Sequence, residues 1–221
     1  ATACAVGALA LTALAESPRT LARRAPLVGL LLGCGLITEY PALFVLAPVG
    51  VYALWRLRVA PRAAAPLLAA AALPVAGAAL YNWAIYHTPF PVAYRYSELF
   101  PHHFGAGVMG FTRPSAVAFW GLTFSPYRGL FFHSPFLLLA IPGIAAWART
   151  RRLGPELAVV VIGPALLLIF LSGMATWAGG NAIGPRHLTT ALPLMVLPIA
   201  ALLASTGPRL RAAFRALALL S

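Results

Sequence analysis

The 221 residues are 61% hydrophobic and 9% charged, with a mean hydropathy of +0.87, whereas soluble domains carry about 25% charged residues. That composition argues against an ordinary soluble domain. Because the apolar runs are continuous and not alternating, it argues against a β-barrel as well; the fold class expected is all-α, a polytopic integral membrane helix bundle of one domain covering 1–221. The net charge of +12 comes from 16 arginines with no lysine, while Glu16, Glu39, Glu98 and Glu156 are the acidic residues. Arginines gathered at the ends of apolar runs are the positive-inside signal of membrane proteins, so no nucleic-acid partner is expected.

In chain order, 1–15 reads as the end of a membrane helix. Residues 16–26 read as a polar link carrying Arg19, Arg23 and Arg24. Residues 27–55 are apolar but broken at Thr38-Glu39-Tyr40-Pro41, and Arg56, Arg58 and Arg62 follow. The run 63–83 is long enough to cross roughly 30 Å of hydrocarbon. A long aromatic loop, punctuated by Pro and Gly, is expected over 84–115, with a short surface piece at 116–124. A span over 130–147, kinked at Pro135 and Pro142, is closed by Arg149, Arg151 and Arg152. Residues 156–176 and 191–205 are further spans, joined by a polar loop, and Arg209, Arg211 and Arg215 come last. Cys4 and Cys34 lie in apolar runs without metal-ligand spacing and read as reduced structural residues. The chain opens at Ala1 inside an apolar run, with no charged segment before it. That reads as a piece lacking its N-terminal part, not as a signal peptide.

Topology turns on 27–55. A single crossing would put the flanking arginine triplets on opposite faces and erase the charge bias. A hairpin hinged at Glu39-Tyr40-Pro41 puts four triplets, 12 of the 16 arginines, on one cytoplasmic face, as the positive-inside rule prefers. Its arms read as short, on the order of 18–21 Å, with the hinge at membrane depth. Arg95, Arg113, Arg128 and Arg186 then fall on the outer face, in loops at about 84–129 and 177–190. Residues that defy the bias need another reason to be there. Guanidinium is a two-pronged donor to phosphate, so anion binding is the reading favoured for Arg128 and Arg186.

Other polar groups are weighed beside them. Glu39 interrupts an apolar stretch, as a cavity wall or as half of an ion pair. Tyr94 and its aromatic neighbours would stack on a sugar or belong to an interfacial belt. Arg128 and His133 lie in Ser125-Pro-Tyr-Arg-Gly-Leu-Phe-Phe-His-Ser-Pro135, where Gly129 allows a tight turn and snorkelling of Arg128 is the bland alternative. Trp177, Asn181, Arg186 and His187 lie in a Gly-rich loop shaped by Gly179, Gly180, Gly184 and Pro185. His102-His103 near Glu98 has only a loose metal-site look, and no metal site is assigned.

Several of these stretches together resemble a known family. Gly29-Leu-Leu-Leu-Gly33 runs into Leu36-Ile-Thr-Glu-Tyr-Pro41. Leu80-Tyr-Asn82 is followed by Pro89-Phe-Pro-Val-Ala-Tyr94. Ser125-Pro-Tyr-Arg-Gly-Leu130 precedes Ser134-Pro135, and Trp177-Ala-Gly-Gly180 precedes Gly184-Pro-Arg-His187. In this order they resemble the later part of bacterial GT-C membrane glycosyltransferases of the family 39, protein-mannosyltransferase-like kind, over about 27–198. The resemblance implies an enzyme of the bacterial inner membrane. It would move a sugar from a polyprenyl-phosphate carrier to a lipid, glycan or protein acceptor on the extracytoplasmic face. It also implies a catalytic acid in an early outer loop that this aspartate-free sequence does not contain, and it leaves a divalent-cation requirement open. A non-enzymatic transporter and a structural subunit of a membrane complex are the rival readings.

Overall fold

The computed structural model describes residues 1–89, 110–150, 154–180, 184–205, 207 and 214. They are helical, with no strand among them, and four helices are long and apolar enough to cross a membrane. The chain divides into two units, Ala1–Thr112 and Arg113–Ser221.

The first unit contains α1 (Thr2–Ala13), α2 (Pro18–Thr38), α3 (Leu43–Leu57) and α4 (Ala64–Tyr86). The expected polar link over 16–26 is instead mostly helix. Ser17 caps α2, its side chain accepting from the Thr20 amide at 3.2 Å, and Pro18 takes the first helical position. Proline there gives up no helical hydrogen bond, so the three arginines lie within α2. The break expected at 38–41 is present as a short 3-10 turn, Tyr40–Ala42. The arms on either side are 21 and 15 residues long, about 32 and 23 Å at 1.5 Å per residue. They exceed the short arms expected, because α2 begins nine residues earlier than the apolar run.

Glycine contacts set the direction of each helix. Gly7 meets Leu31 and Gly35 meets Cys4, so α1 runs antiparallel to α2. Gly35 meets Leu46 and Gly50 meets Leu32, so α3 is antiparallel too. Gly29 lies on the Leu67 backbone and Gly33 on that of Ala71, so α4 runs parallel to α2 with the two backbones in close contact. Small residues spaced four apart are what lets helix backbones approach this closely.

The arrangement brings the C-terminus of α1, the start of α2, the end of α3 and the start of α4 to one end. Arg19, Arg23, Arg24, Arg56, Arg58 and Arg62 are all at that end. Arg56 donates to the Ala15 carbonyl at 2.8 Å, and Arg24 to the Leu11 and Leu14 carbonyls at 3.5 Å. Two cations thus serve the carbonyls at and just beyond the end of α1, where positive charge is favourable. The opposite end carries the 39–42 hinge and the end of α4, where His87 closes the helix at φ 54°. Cysteines placed at Arg23 and Arg58, in a variant with Cys4 and Cys34 replaced by alanine, are therefore expected to react with a membrane-impermeant thiol reagent from the same side of sealed vesicles. Labelling from opposite sides would break the hairpin.

The side of α4 is mostly uncovered: Leu67 is its one buried residue, while Leu73 and Leu80 are 68% and 72% exposed.

The second unit contains α5 (Ala116–Thr123), α6 (Leu130–His133), α7 (Ala140–Arg149), α8 (Gly154–Ser172) and α9 (Leu192–Ser205). The kinked span expected over 130–147 is broken into α6, a 3-10 stretch at Pro135–Leu139, and α7. Ser134, at φ −140° and ψ 69°, leaves the helical region where proline follows, as the ring requires of its neighbour. Helix α8 ends at Ser172, short of the expected 176, and α9 packs on α7 where Gly143 meets the Pro198 carbonyl.

Candidate functional site

The site is built on the turn between α5 and α6. The Gly129 amide donates to the Ser125 carbonyl at 2.7 Å, and the Ser125 hydroxyl accepts from the Tyr127 amide at 3.1 Å. A Cβ at Gly129 would run into the Ser125 carbonyl and lie 2.6 Å from the Phe124 carbonyl carbon. A larger residue would open the turn that aims Arg128.

Arg128 is 4% exposed. Its Nη2 donates to the Gly180 carbonyl, and its Nη1 to the Gly184 carbonyl at 3.5 Å. Its guanidinium also lies over the Tyr127 ring, 4.6 Å from the centroid, a cation–π contact. Nε is buried with no hydrogen-bond partner among the described residues. The carbonyls it holds belong to the Gly-rich loop, where Gly179, Gly180 and Gly184 have φ of 70°, 72° and 67°. These left-handed conformations strain any residue with a Cβ, and two of the three, Gly180 and Gly184, are the ones whose carbonyls accept from the arginine.

The same loop gathers the other groups. Trp177 packs into the notch at Gly121 and meets the Tyr127 ring edge-on at 6.4 Å. His133 lies against Gly184, its Nε2 buried without a hydrogen-bond partner among the described residues. His187 lies against Gly179, and the exposed Arg186 directs its Nε to His187 Nε2 at 3.4 Å. The structure therefore brings Arg128, His133, Trp177, Arg186 and His187 to one loop, with Arg128 on its inner side and Arg186 toward the outside. Glu39 is half-buried at the hinge of the other unit. Tyr94, Asn181 and Arg95 lie outside the described residues, as do Glu98, His102 and His103, and Arg113 is exposed.

Arg128 is held by neutral oxygens, with no carboxylate paired to it among the described residues. A buried cation so placed gains from an arriving anion, since charge-assisted hydrogen bonds are roughly twice as strong as neutral ones. The same unit holds a cavity of about 190 Å³ with an almost wholly apolar lining that includes Leu130, Phe131, Leu168, Leu188, Met195 and Pro198. Two of its lining residues are close in sequence to the charged loop: Leu130 is two residues from Arg128, and Leu188 directly follows His187. Among the described residues, no three His, Cys, Asp or Glu side chains come together as metal ligands would.

Tyr127 and the apolar hollow were not anticipated as parts of the site. Tyr127 stands beside Arg128 in the motif and was legible as its stacking partner. The hollow is made by helices distant in sequence and has no local signature. No protein-family profile, curated protein or solved structure matches this chain at a significant level.

Proposed function

We propose that this chain is part of a GT-C-type membrane glycosyltransferase that uses a polyprenyl-phosphate-linked sugar. The observation that carries the reading is the buried Arg128, paired with no carboxylate among the described residues, in a unit that also holds an apolar cavity lined by Leu130, two residues further on: a phosphate head asks for the first and an isoprenoid tail for the second. The uncovered apolar sides of the long helices suit a bilayer, and the arginine-bearing end of the first unit suits its cytoplasmic face. The location proposed is the bacterial inner membrane, with several passes.

In the reaction, an acceptor oxygen attacks the anomeric carbon with inversion. The bond from that carbon to the phosphate oxygen breaks, its electron pair stays on the phosphate, and the acceptor's proton passes to a base. Negative charge thus grows on the departing lipid phosphate. Arg128 is placed to stabilise it from within and Arg186 from the outer side of the loop; donors fixed before reaction are worth more than mobile water. Trp177 and Tyr127 offer aromatic faces to the sugar. The proton acceptor is assigned to no residue of this unit.

In the protein as its gene encodes it, reconstituted with labelled polyprenyl-phosphate sugar, Arg186→Ala is expected to lose transfer by about 10²-fold or more while inserting normally. Wild-type turnover in that variant would remove Arg186 from the site. Carrier binding by the wild type without sugar release would favour the non-enzymatic transporter.

A further inference from the structure

We propose that the arginine-bearing end of the first unit holds the phosphate headgroup of an anionic membrane phospholipid, gripped by Arg19, Arg23 and Arg62. Six guanidiniums converge at that end, and they are not equivalent. Arg24 and Arg56 are engaged by carbonyls at the end of α1, and Arg58 stacks on Trp55 at 4.3 Å from the ring centroid. Arg19, Arg23 and Arg62 are exposed, and no hydrogen bond, ion pair or ring contact engages them among the described residues. Among the described residues of the first unit, Glu16, exposed in the link before α2, is the carboxylate at this end, and Glu39 is at the hinge.

The three are grouped around one feature. Ala22, Ala60, Pro61, Arg62, Ala63 and Pro66 line an open concavity of about 450 Å³ between α2 and the start of α4. Arg19 and Arg23, four residues apart, share the α2 face that flanks Ala22. The floor is alanine and proline, so a ligand meets charge at the rim and apolar surface within. From there α2 and α4 continue with Leu27, Leu30, Leu68 and Leu73 exposed, at 49%, 38%, 54% and 68%. A phosphate diester on acyl chains matches that sequence of surfaces: anion at the rim, hydrocarbon along the helices. A soluble phosphate would use only the first part. The inference needs the bundle to lie in a bilayer and is independent of sugar transfer at Arg128.

The test uses the whole protein in nanodiscs of phosphatidylglycerol mixed with phosphatidylcholine, counting co-purified lipid by mass spectrometry after detergent extraction. Each arginine near a membrane surface is worth about fivefold in attraction, so the three together are worth about 100-fold. The wild type is expected to retain phosphatidylglycerol over phosphatidylcholine. The triple variant R19Q/R23Q/R62Q should lose that preference, R19K/R23K/R62K should keep charge and orientation with a reduced preference, and R113Q should match the wild type. Undiminished retention by the triple glutamine variant would overturn the proposal, as would a loss of equal size in R113Q. Millimolar inorganic phosphate should not release the lipid; release would mark a free-anion site and overturn the lipid assignment.

Discussion

Arg128→Gln is expected to lower sugar transfer by about 10²–10³-fold, the usual consequence of removing one fixed donor from a developing oxyanion. Two effects add. The positive charge that meets the lipid phosphate is gone. The Gly180 and Gly184 carbonyls also lose their charged donor, and at the buried Gly184 an acceptor left unsatisfied costs about 1–3 kcal/mol. The Gly-rich loop would then relax, taking Arg186 and His187 with it. Arg128→Lys separates the effects: it keeps the charge but cannot reach both carbonyls with a planar fork. Its transfer rate should fall between wild type and glutamine, measured in proteoliposomes with labelled donor. Equal rates for lysine and glutamine would mean that loop geometry, and not charge, is what Arg128 provides.

The largest effect on stability is expected from Gly33→Val. A Cβ there would overlap the Ala71 carbonyl and lie 2.6 Å from Pro74 Cγ. Neither backbone nor proline ring can swing aside, so α2 and α4 must part. Overpacking typically costs about 1–3 kcal/mol, and separating two closely packed backbones belongs at or above the upper end. Gly29→Val, against the Leu67 carbonyl, should behave alike. Gly77 lies inside α4 with nothing within 4 Å of its would-be Cβ, so Gly77→Ala should be neutral or stabilise by up to about 1 kcal/mol through helix propensity. Thermal unfolding in detergent, followed by circular dichroism, ranks the three. A midpoint for Gly33→Val equal to that of Gly77→Ala would refute the close α2–α4 contact.

Hydropathy and punctuation carried the helical outline, since apolar runs of spanning length and the Glu39-Tyr40-Pro41 break are local features. Two misreadings were also local. Three arginines in 16–26 looked like a link, although Ser17-Pro18 is a helix start. Ser134-Pro135 looked like a kink and is a break, because the residue before proline leaves the helix altogether. Gly29 and Gly33 entered the sequence reading only through the family resemblance, and the close packing of α4 on them comes from a helix about forty residues further on, which no local pattern marks. At the site, Arg128 and Arg186 stood out because charge is scarce and the surrounding residues are Gly and Pro. The groups that hold Arg128 are main-chain carbonyls, which every residue carries and no sequence marks. Glu39 drew notice as a carboxylate in an apolar stretch, and it belongs to the hinge of the first unit, away in sequence from the Arg128 loop.

Equilibrium binding of a short-chain polyprenyl phosphate to the purified protein tests most directly whether Arg128 is an anion-binding centre for a lipid-linked phosphate. Saturable binding that weakens by at least about tenfold in Arg128→Gln, corresponding to about 1.4 kcal/mol, and that an alkyl alcohol of equal length does not reproduce, is the expected result. Binding of equal strength in the two proteins, or equal binding of the uncharged alcohol, would contradict it.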